Sequence, residues 1–243
     1  MGDRLETRDT WRNRYRDAVL MALSPLSACW AIANQYDWLP EPKIGDVPRL
    51  SAQALSTWRE YIAGSRTYLE FGSGGSTIEA IQHVQRVVTV DTDRRFLGAV
   101  ERRVATVIPV GSFHPIHVDI GWTTKWGRPL VMWRSEARIR RWRDYPVAPW
   151  RLVERVGGVP DFICVDGRFR VASVLESFMR LSDDAECQFM LDDFRGRGGM
   201  YGPVLQFAEN IMVHDRAITF RRQSSFDREK CRSVLEKYYA DPR

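Results

Sequence analysis

A chain of 243 residues with 44% hydrophobic content is long enough for one sizeable domain, or at most two small ones, and too apolar to be disordered. Its four cysteines (Cys29, Cys164, Cys187, Cys231) show no C-x-x-C spacing, which argues against a zinc site or a disulfide framework and for reduced thiols in a cytoplasmic protein. The net charge of +5 rests almost wholly on arginine, and it suits an acidic small substrate, a nucleic acid or an anionic surface equally well.

Residues 1–45 read as an N-terminal helical extension closed by the break Pro40-Glu41-Pro42. The apolar run from Ala18 to Ala33 follows several arginines and ends like a cleavage site. Asp3, Glu6, Asp9 and Asp17 offset that charge, however, and Pro25 interrupts the run, so a packed helix is expected and no membrane span. Residues 46–243 are expected to form one α/β domain. A helix from Ser51 to Ala63 leads into a strand at Tyr68–Phe71, then a helix from about Ser76. The β-branched run Val87–Val90 is a second strand and Phe96–Val104 a helix. A third strand is expected near Ile116–Val118. After an aromatic and basic insertion at about 120–160 come strand Phe162–Val165, helix Val171–Leu181, strand Gln188–Leu191, a loop at 196–203, and a closing antiparallel pair near Ile211–Val213 and Ala217–Phe220.

Strands alternating with helices predict a doubly wound, mostly parallel seven-stranded sheet with helices on both faces, and such sheets bind ligands beyond the carboxyl ends of their strands. Acids fall at those ends: Glu70, Asp91, Asp119, Asp166, Asp192 and Asp193. On one rim they repel strongly unless cations, donors or a ligand meet them. His114 and His117 face opposite sides of a strand and make no metal cluster with Asp119.

The stretch YLEFGSGGST (68–77) is a buried strand turning sharply into a helix, with glycines that let a ligand approach the backbone and a helix start that offers free N–H groups. A nicotinamide dinucleotide fits Asp91 as a ribose ligand, which keeps an NAD(P)-dependent oxidoreductase as an alternative. Against it, Thr77 replaces the third glycine of G-x-G-x-x-G, and Glu70 would oppose a pyrophosphate. A carboxylate there favours a ligand bearing an ammonium and a sulfonium.

With Glu70-Phe71-Gly72-Ser73-Gly74-Gly75-Ser76-Thr77 and Val88-Thr89-Val90-Asp91, the sequence resembles the class I S-adenosylmethionine-dependent methyltransferases over about residues 50–220. That resemblance implies a cofactor site of Glu70, Gly72, Ser73, Gly74, Gly75, Ser76 and Thr77. It further implies Asp91 on the ribose hydroxyls and Asp119 at the adenine. The segments FICVDGRFR and MLDDF resemble the metal-dependent O-methyltransferases of the catechol type, which implies Mg²⁺ or another divalent cation on Asp166, Asp192 and Asp193. Asp193 stands where that pattern has Asn. The alternative is that Asp166 pairs with Arg168 or Arg195 and binds no metal. Asp166, Arg168 and Asp192 are the candidate catalytic residues, and the expected acceptor is a hydroxyl of a small molecule or sugar.

Five of the nine tryptophans lie in the 120–160 insertion among many arginines. It reads as a substrate wall, as a nucleic-acid surface, or as an amphipathic helix with Trp133, Ala137 and Arg141 on successive turns. A partly structural helix bordering the pocket is favoured, so a nucleic-acid acceptor is the lesser alternative. Nothing in the sequence speaks to oligomeric state.

Overall fold

A computed structural model describes residues 25–243. Helix α1 (Pro25–Gln35) is followed by α2 (Ala52–Gly64), β1 (Thr67–Phe71), α3 (Gly75–Ala80), β2 (Arg86–Asp91) and α4 (Arg94–Val104). Next come β3 (Ser112–His117), a small hairpin of β4 (Thr123–Thr124) and β5 (Arg128–Pro129), and the long helix α5 (Glu136–Val156). The chain closes with β6 (Phe162–Val165), α6 (Arg170–Arg180), β7 (Gln188–Leu191), α7 (Gly198–Leu205), β8 (Ala208–His214), β9 (Ala217–Arg222) and α8 (Arg228–Tyr238).

Seven strands form one sheet in the order β3-β2-β1-β6-β7-β9-β8. The first five are parallel; β9 runs antiparallel to both neighbours. This is the doubly wound, mostly parallel sheet expected. Register decides where the acids go. Phe71 pairs with Val90 and with Val165, and Val165 with Leu191, so β1, β2, β6 and β7 end level and their following residues share one rim. The central strands are buried at every position of β1, β6 and β7, as parallel strands covered on both faces must be. One apolar layer holds Trp58, Ile62, Ile81 and Val100, from α2 to α4; the other holds Trp142, Trp150, Phe178 and Leu235, from α5, α6 and α8.

Four expectations need correction. The third strand is Ser112–His117, four residues earlier than Ile116–Val118 suggested. It is an edge strand and mostly half-exposed, so it carries Pro115 without losing a needed ladder bond and shows no apolar run. The 120–160 segment is no insertion: α5 is the crossover helix from β3 to β6. Its buried positions Trp142, Tyr145, Pro146, Pro149, Trp150 and Val153 recur at helical spacing, whereas Trp133 precedes the helix and Ala137 and Arg141 are exposed. Residues 198–205 are helical despite three glycines and Pro203, not a loop. Ser51 sits at the N-cap of α2, yet its hydroxyl makes no capping bond.

The expected helix around Ala18–Ala33 lies partly outside the described residues. From Pro25 onward it is helical, and it docks on the start of α4: Asn34 donates to Asp93 (3.2 Å), and Arg95 pairs with Asp37 (3.0 Å) and donates to the carbonyls of Leu39 and Pro40.

Trp142 is fully buried and its indole N–H donates to the carbonyl of Ile120 at 3.1 Å. Trp142→Ala is therefore expected to destabilise the domain by about 3–5 kcal/mol, read from the denaturant midpoint. A loss below about 1 kcal/mol would show that α5 does not hold the sheet.

Candidate functional site

A cavity of about 680 Å³ opens at the carboxyl ends of β1, β2, β6 and β7. The glycine turn lies at one end. Gly72 takes a left-handed backbone (φ 104°), and a Cβ there would come within 2.9 Å of the Gly167 nitrogen, so the β1 and β6 loops touch through two glycines. Gly75 is needed for another contact: a Cβ would strike the carbonyl of Val47. The second glycine constraint therefore comes from chain packing, not from a ligand.

Beneath the turn lies Glu70, 2% exposed. Its carboxylate accepts from Ser76 Oγ (2.7 Å), from Thr77 Oγ1 and from the Tyr68 hydroxyl (3.1 Å), while the Gly74 N–H donates to Thr77 Oγ1 (3.0 Å). Burial pushes the Glu70 carboxyl up to about 7, against the pull of those hydroxyls. Glu70, Gly72, Ser73, Gly74, Gly75 and Ser76 line the cavity; Thr77 is buried behind them and does not. Asp91 also lines it, accepting from the Ser73 N–H (3.0 Å) and Oγ (2.7 Å) and from the Asp93 N–H (2.9 Å). Burial raises its carboxyl too, opposed by those donors.

Asp119 is not at the cavity. It sits two residues beyond the edge strand β3, exposed, and pairs with Arg141 of α5, whose Nε also donates to its carbonyl (2.7 Å). The wall on that side is instead the turn between β4 and β5. There Trp126, in a left-handed conformation (φ 65°) and 73% exposed, stacks with Arg49 at 5.8 Å, and the Gly127 carbonyl accepts from Thr92 (2.9 Å). Nothing in the spacing of GWTTKWGRP announces that hairpin.

At the far end Asp166, Asp192 and Asp193 converge, each offering an oxygen within 4.8 Å of the others. Three arginines answer them, and none is Arg168 or Arg195. Arg170, 2% exposed, pairs with Asp166 (2.9 Å) and Asp193 (3.4 Å) and donates to the carbonyl of Asp192 (3.2 Å) and the hydroxyl of Tyr201 (3.1 Å). Arg216, from the β8–β9 turn, grips Asp192 with two bonds (3.0 and 2.7 Å). Arg197 adds a contact to Asp193 at 3.4 Å. Arg216 stands 24 residues from Asp192, and no local signal links them.

Asp166 opens on the cavity with half its side chain exposed, yet protein surrounds it at longer range. That burial, together with the charges of Asp192 and Asp193, pushes its carboxyl up to about 6 against the pull of Arg170. Arg168 also lines the cavity; its Nε is buried and has no hydrogen-bond partner among the described residues.

A metal ion fits this acidic trio poorly. The carboxylates have the right chemistry for a hard cation. Asp192, however, is fully buried with both oxygens held by Arg216, and Arg170 lies between the other two. An ion would have to displace guanidinium groups already paired.

For Glu70 the linkage has a definite sign. Its folded pKa of about 7 lies above the ordinary 4.5, so the folded state holds the proton more tightly. The stability of the ligand-free protein is thus expected to fall as pH rises from about 4.5 through about 7, by at most about 3 kcal/mol from this group. Glu70→Gln should flatten that slope in denaturation measured across the window; an unchanged slope would refute the assignment.

No protein-family model matches the sequence, and no match is found among curated proteins. Among solved structures, the chain is similar to a methyltransferase-like protein from Silicibacter pomeroyi, with 26% identity over 82% of this chain and 100% of that one, and a TM-score of 0.69. It also matches an O-methyltransferase from Bacillus cereus in complex with SAH (13% identity, 80% and 99% covered, TM-score 0.47) and the cofactor-bound Rv0187 from MTB (14%, 87% and 96%, 0.45). The strand order and level rim are those of a Rossmann-like methyltransferase fold, and the chain resembles the class I methyltransferases in that fold.

Proposed function

We propose that this protein transfers a methyl group from S-adenosylmethionine to a hydroxyl of a small molecule or sugar. The observation that carries the reading is the buried Glu70 carboxylate under the glycine turn, at the same rim as Asp91 and Asp166. A negative charge there disfavours a pyrophosphate and favours a cationic ligand, which weighs against a nicotinamide dinucleotide. S-adenosylmethionine, when bound, supplies an electrophilic methyl group. Asp91 is placed for its ribose hydroxyls, and Glu70 for its positive charge.

The acceptor proton needs a base, and Asp166 is the carboxylate that both faces the cavity and keeps a carboxyl near 6. The acceptor oxygen would form its bond to the methyl carbon as the sulfur departs as a thioether, and the proton would pass to Asp166. Asp192 is a positioning residue in this scheme: both its oxygens are held by Arg216. With Arg170, Arg197 and Arg216 opposing the three carboxylates, no divalent cation is needed to relieve their repulsion.

A nucleic-acid acceptor is less well supported. Trp142 and Trp150 are buried in the core and cannot stack on bases. Arg140, Arg141, Arg143 and Arg151 on α5 face Glu136, Asp119, Glu236 and Asp144. Among the described residues, no helix is long and apolar enough to cross a membrane.

S-adenosylhomocysteine is expected to raise the melting temperature while NAD does not. Glu70→Ala and Asp91→Ala should each weaken that binding roughly tenfold or more, measured by calorimetry. Tight NAD binding without a response to S-adenosylhomocysteine would sink the methyltransferase reading.

With an acceptor in hand, turnover should persist in excess chelator and fall as pH drops through about 6, where Asp166 takes up its proton. Asp166→Asn should lower kcat by roughly 10²-fold or more without a matching rise in KM. Loss of turnover in chelator, restored by Mg²⁺, would overturn the arginine-paired arrangement.

A further inference from the structure

The cations of the cavity are not all spoken for. Arg170, Arg197 and Arg216 answer the three carboxylates of the far end. Among the described residues Arg168 has no ion-pair partner, although it stands on the same loop, and its buried Nε has no hydrogen-bond partner. Its neighbours include two further cations. Arg170 follows it by two residues and Arg128 stands on β5; burial first, then the charges of Arg170 and Arg128, make its protonated form less favourable than usual, against the pull of Tyr145 and Asp166. Arg128 lines the same cavity and likewise forms no ion pair among the described residues. An arginine cannot shed its proton to escape such crowding. Two guanidinium groups lining one cavity with no ion pair among the described residues, one with a buried donor unsatisfied, make a receptor for an oxyanion.

We propose that the methyl acceptor carries an anionic oxygen group, a carboxylate or a phosphate, which docks on Arg168 and Arg128. The proposal rests on the methyltransferase reading and adds the substrate class to it. The cofactor's own carboxylate is the competing occupant, and position argues against it. The segment bearing Lys43 and Val47 presses on the glycine turn at Gly75, so that end of the cavity has its own cation in Lys43. Arg168 lies past the β6 strand, beside the base Asp166, where the acceptor must sit for its proton to be taken. An anion held there sets the hydroxyl against Asp166 and adds no charge to the cluster that Arg170 already balances.

The test uses the full chain saturated with S-adenosylhomocysteine and two pairs of probes: catechol against 3,4-dihydroxybenzoate, and glucose against glucose 6-phosphate. Calorimetry should show the anionic member of at least one pair binding roughly tenfold or more tightly than its neutral counterpart. Which pair responds separates a carboxylate from a phosphate. Arg168→Gln should remove that preference, Arg168→Lys should restore part of it, and Arg128→Gln should weaken it, while S-adenosylhomocysteine affinity stays within roughly threefold in all three. Arg128→Gln lies on the exposed hairpin and serves if Arg168→Gln fails to fold. Equal binding of charged and neutral probes overturns the proposal and leaves methyl transfer standing. A large loss of S-adenosylhomocysteine affinity in Arg168→Gln assigns that arginine to the cofactor and overturns it as well. If the native protein does not bind S-adenosylhomocysteine, the methyltransferase reading fails by itself, and the same probe pairs on the ligand-free chain still decide whether Arg168 selects an anion.

Discussion

The site depends on one buried guanidinium. Arg170 is the first residue of α6, and from there it bonds to the carbonyls of Asp166, Gly167 and Asp192 and to the carboxylates of Asp166 and Asp193. Those groups belong to the loops after two adjacent parallel strands. Three carboxylates within 4.8 Å of one another would drive the loops apart in a low-dielectric rim. Removing the arginine would leave Asp166 without its ion pair and the Asp192 carbonyl without its donor, so Arg197 and Arg216 would have to hold the cluster alone. A left-handed Phe169 (φ 52°) makes the placement possible. It turns the chain so that its own ring packs on Trp142 and Tyr145 while the next side chain points back into the rim. Core packing and site electrostatics are thus set by consecutive residues.

Close contact between loops is the second constraint. Gly72 and Gly167 meet where any side chain would collide, and Tyr145 of α5 sits against Gly167. The β1 loop carries the glycine turn, and the β6 loop carries Asp166 and Arg168. Their mutual approach fixes the distance between the glycine-turn end and the acidic end of the cavity. This coupling explains why α5, which lines no motif, matters to the site: its tyrosine braces the point where the two loops touch.

Much of this was legible in the amino-acid order, for physical reasons that differ by element. Val87–Val90, Phe162–Val165 and Gln188–Leu191 are buried on both faces, so they read as continuous apolar runs, and an acid marks each end. Where burial is one-sided or partial the signal fades. β3 lies at the sheet edge with Pro115 and was displaced by four residues. The crossover α5 interleaves its apolar stripe with arginines and two buried prolines, so the sequence shows a helix bordering the pocket but not its role as the crossover from β3 to β6. Asp119 followed the right strand but the wrong side of it. Of the partners of the acidic cluster, Arg170 and Arg197 stand four residues from Asp166 and Asp193, but Arg216 could not be read, because it reaches Asp192 only through sheet topology. Strand ends are local facts; ion pairs across strands are not.

The two ends of the cavity treat charge in opposite ways, and this follows from their donors. Glu70 is met by neutral hydroxyls from Ser76, Thr77 and Tyr68, which stabilise a carboxylate only in part, so its carboxyl rests near 7 and awaits a cation. The acids of the far end are met by guanidinium groups, so their charge is already balanced and an added cation would gain little there. Under the proposed function, a positively charged cofactor binding over Glu70 would draw its pKa downward and expel a proton near neutral pH, which makes cofactor affinity rise with pH across that range. An anionic acceptor at Arg168 would not disturb that equilibrium, because the added charge is met on the spot. Cofactor and acceptor are then selected by separate electrostatic devices at the two ends of one cavity, joined by a pair of glycines.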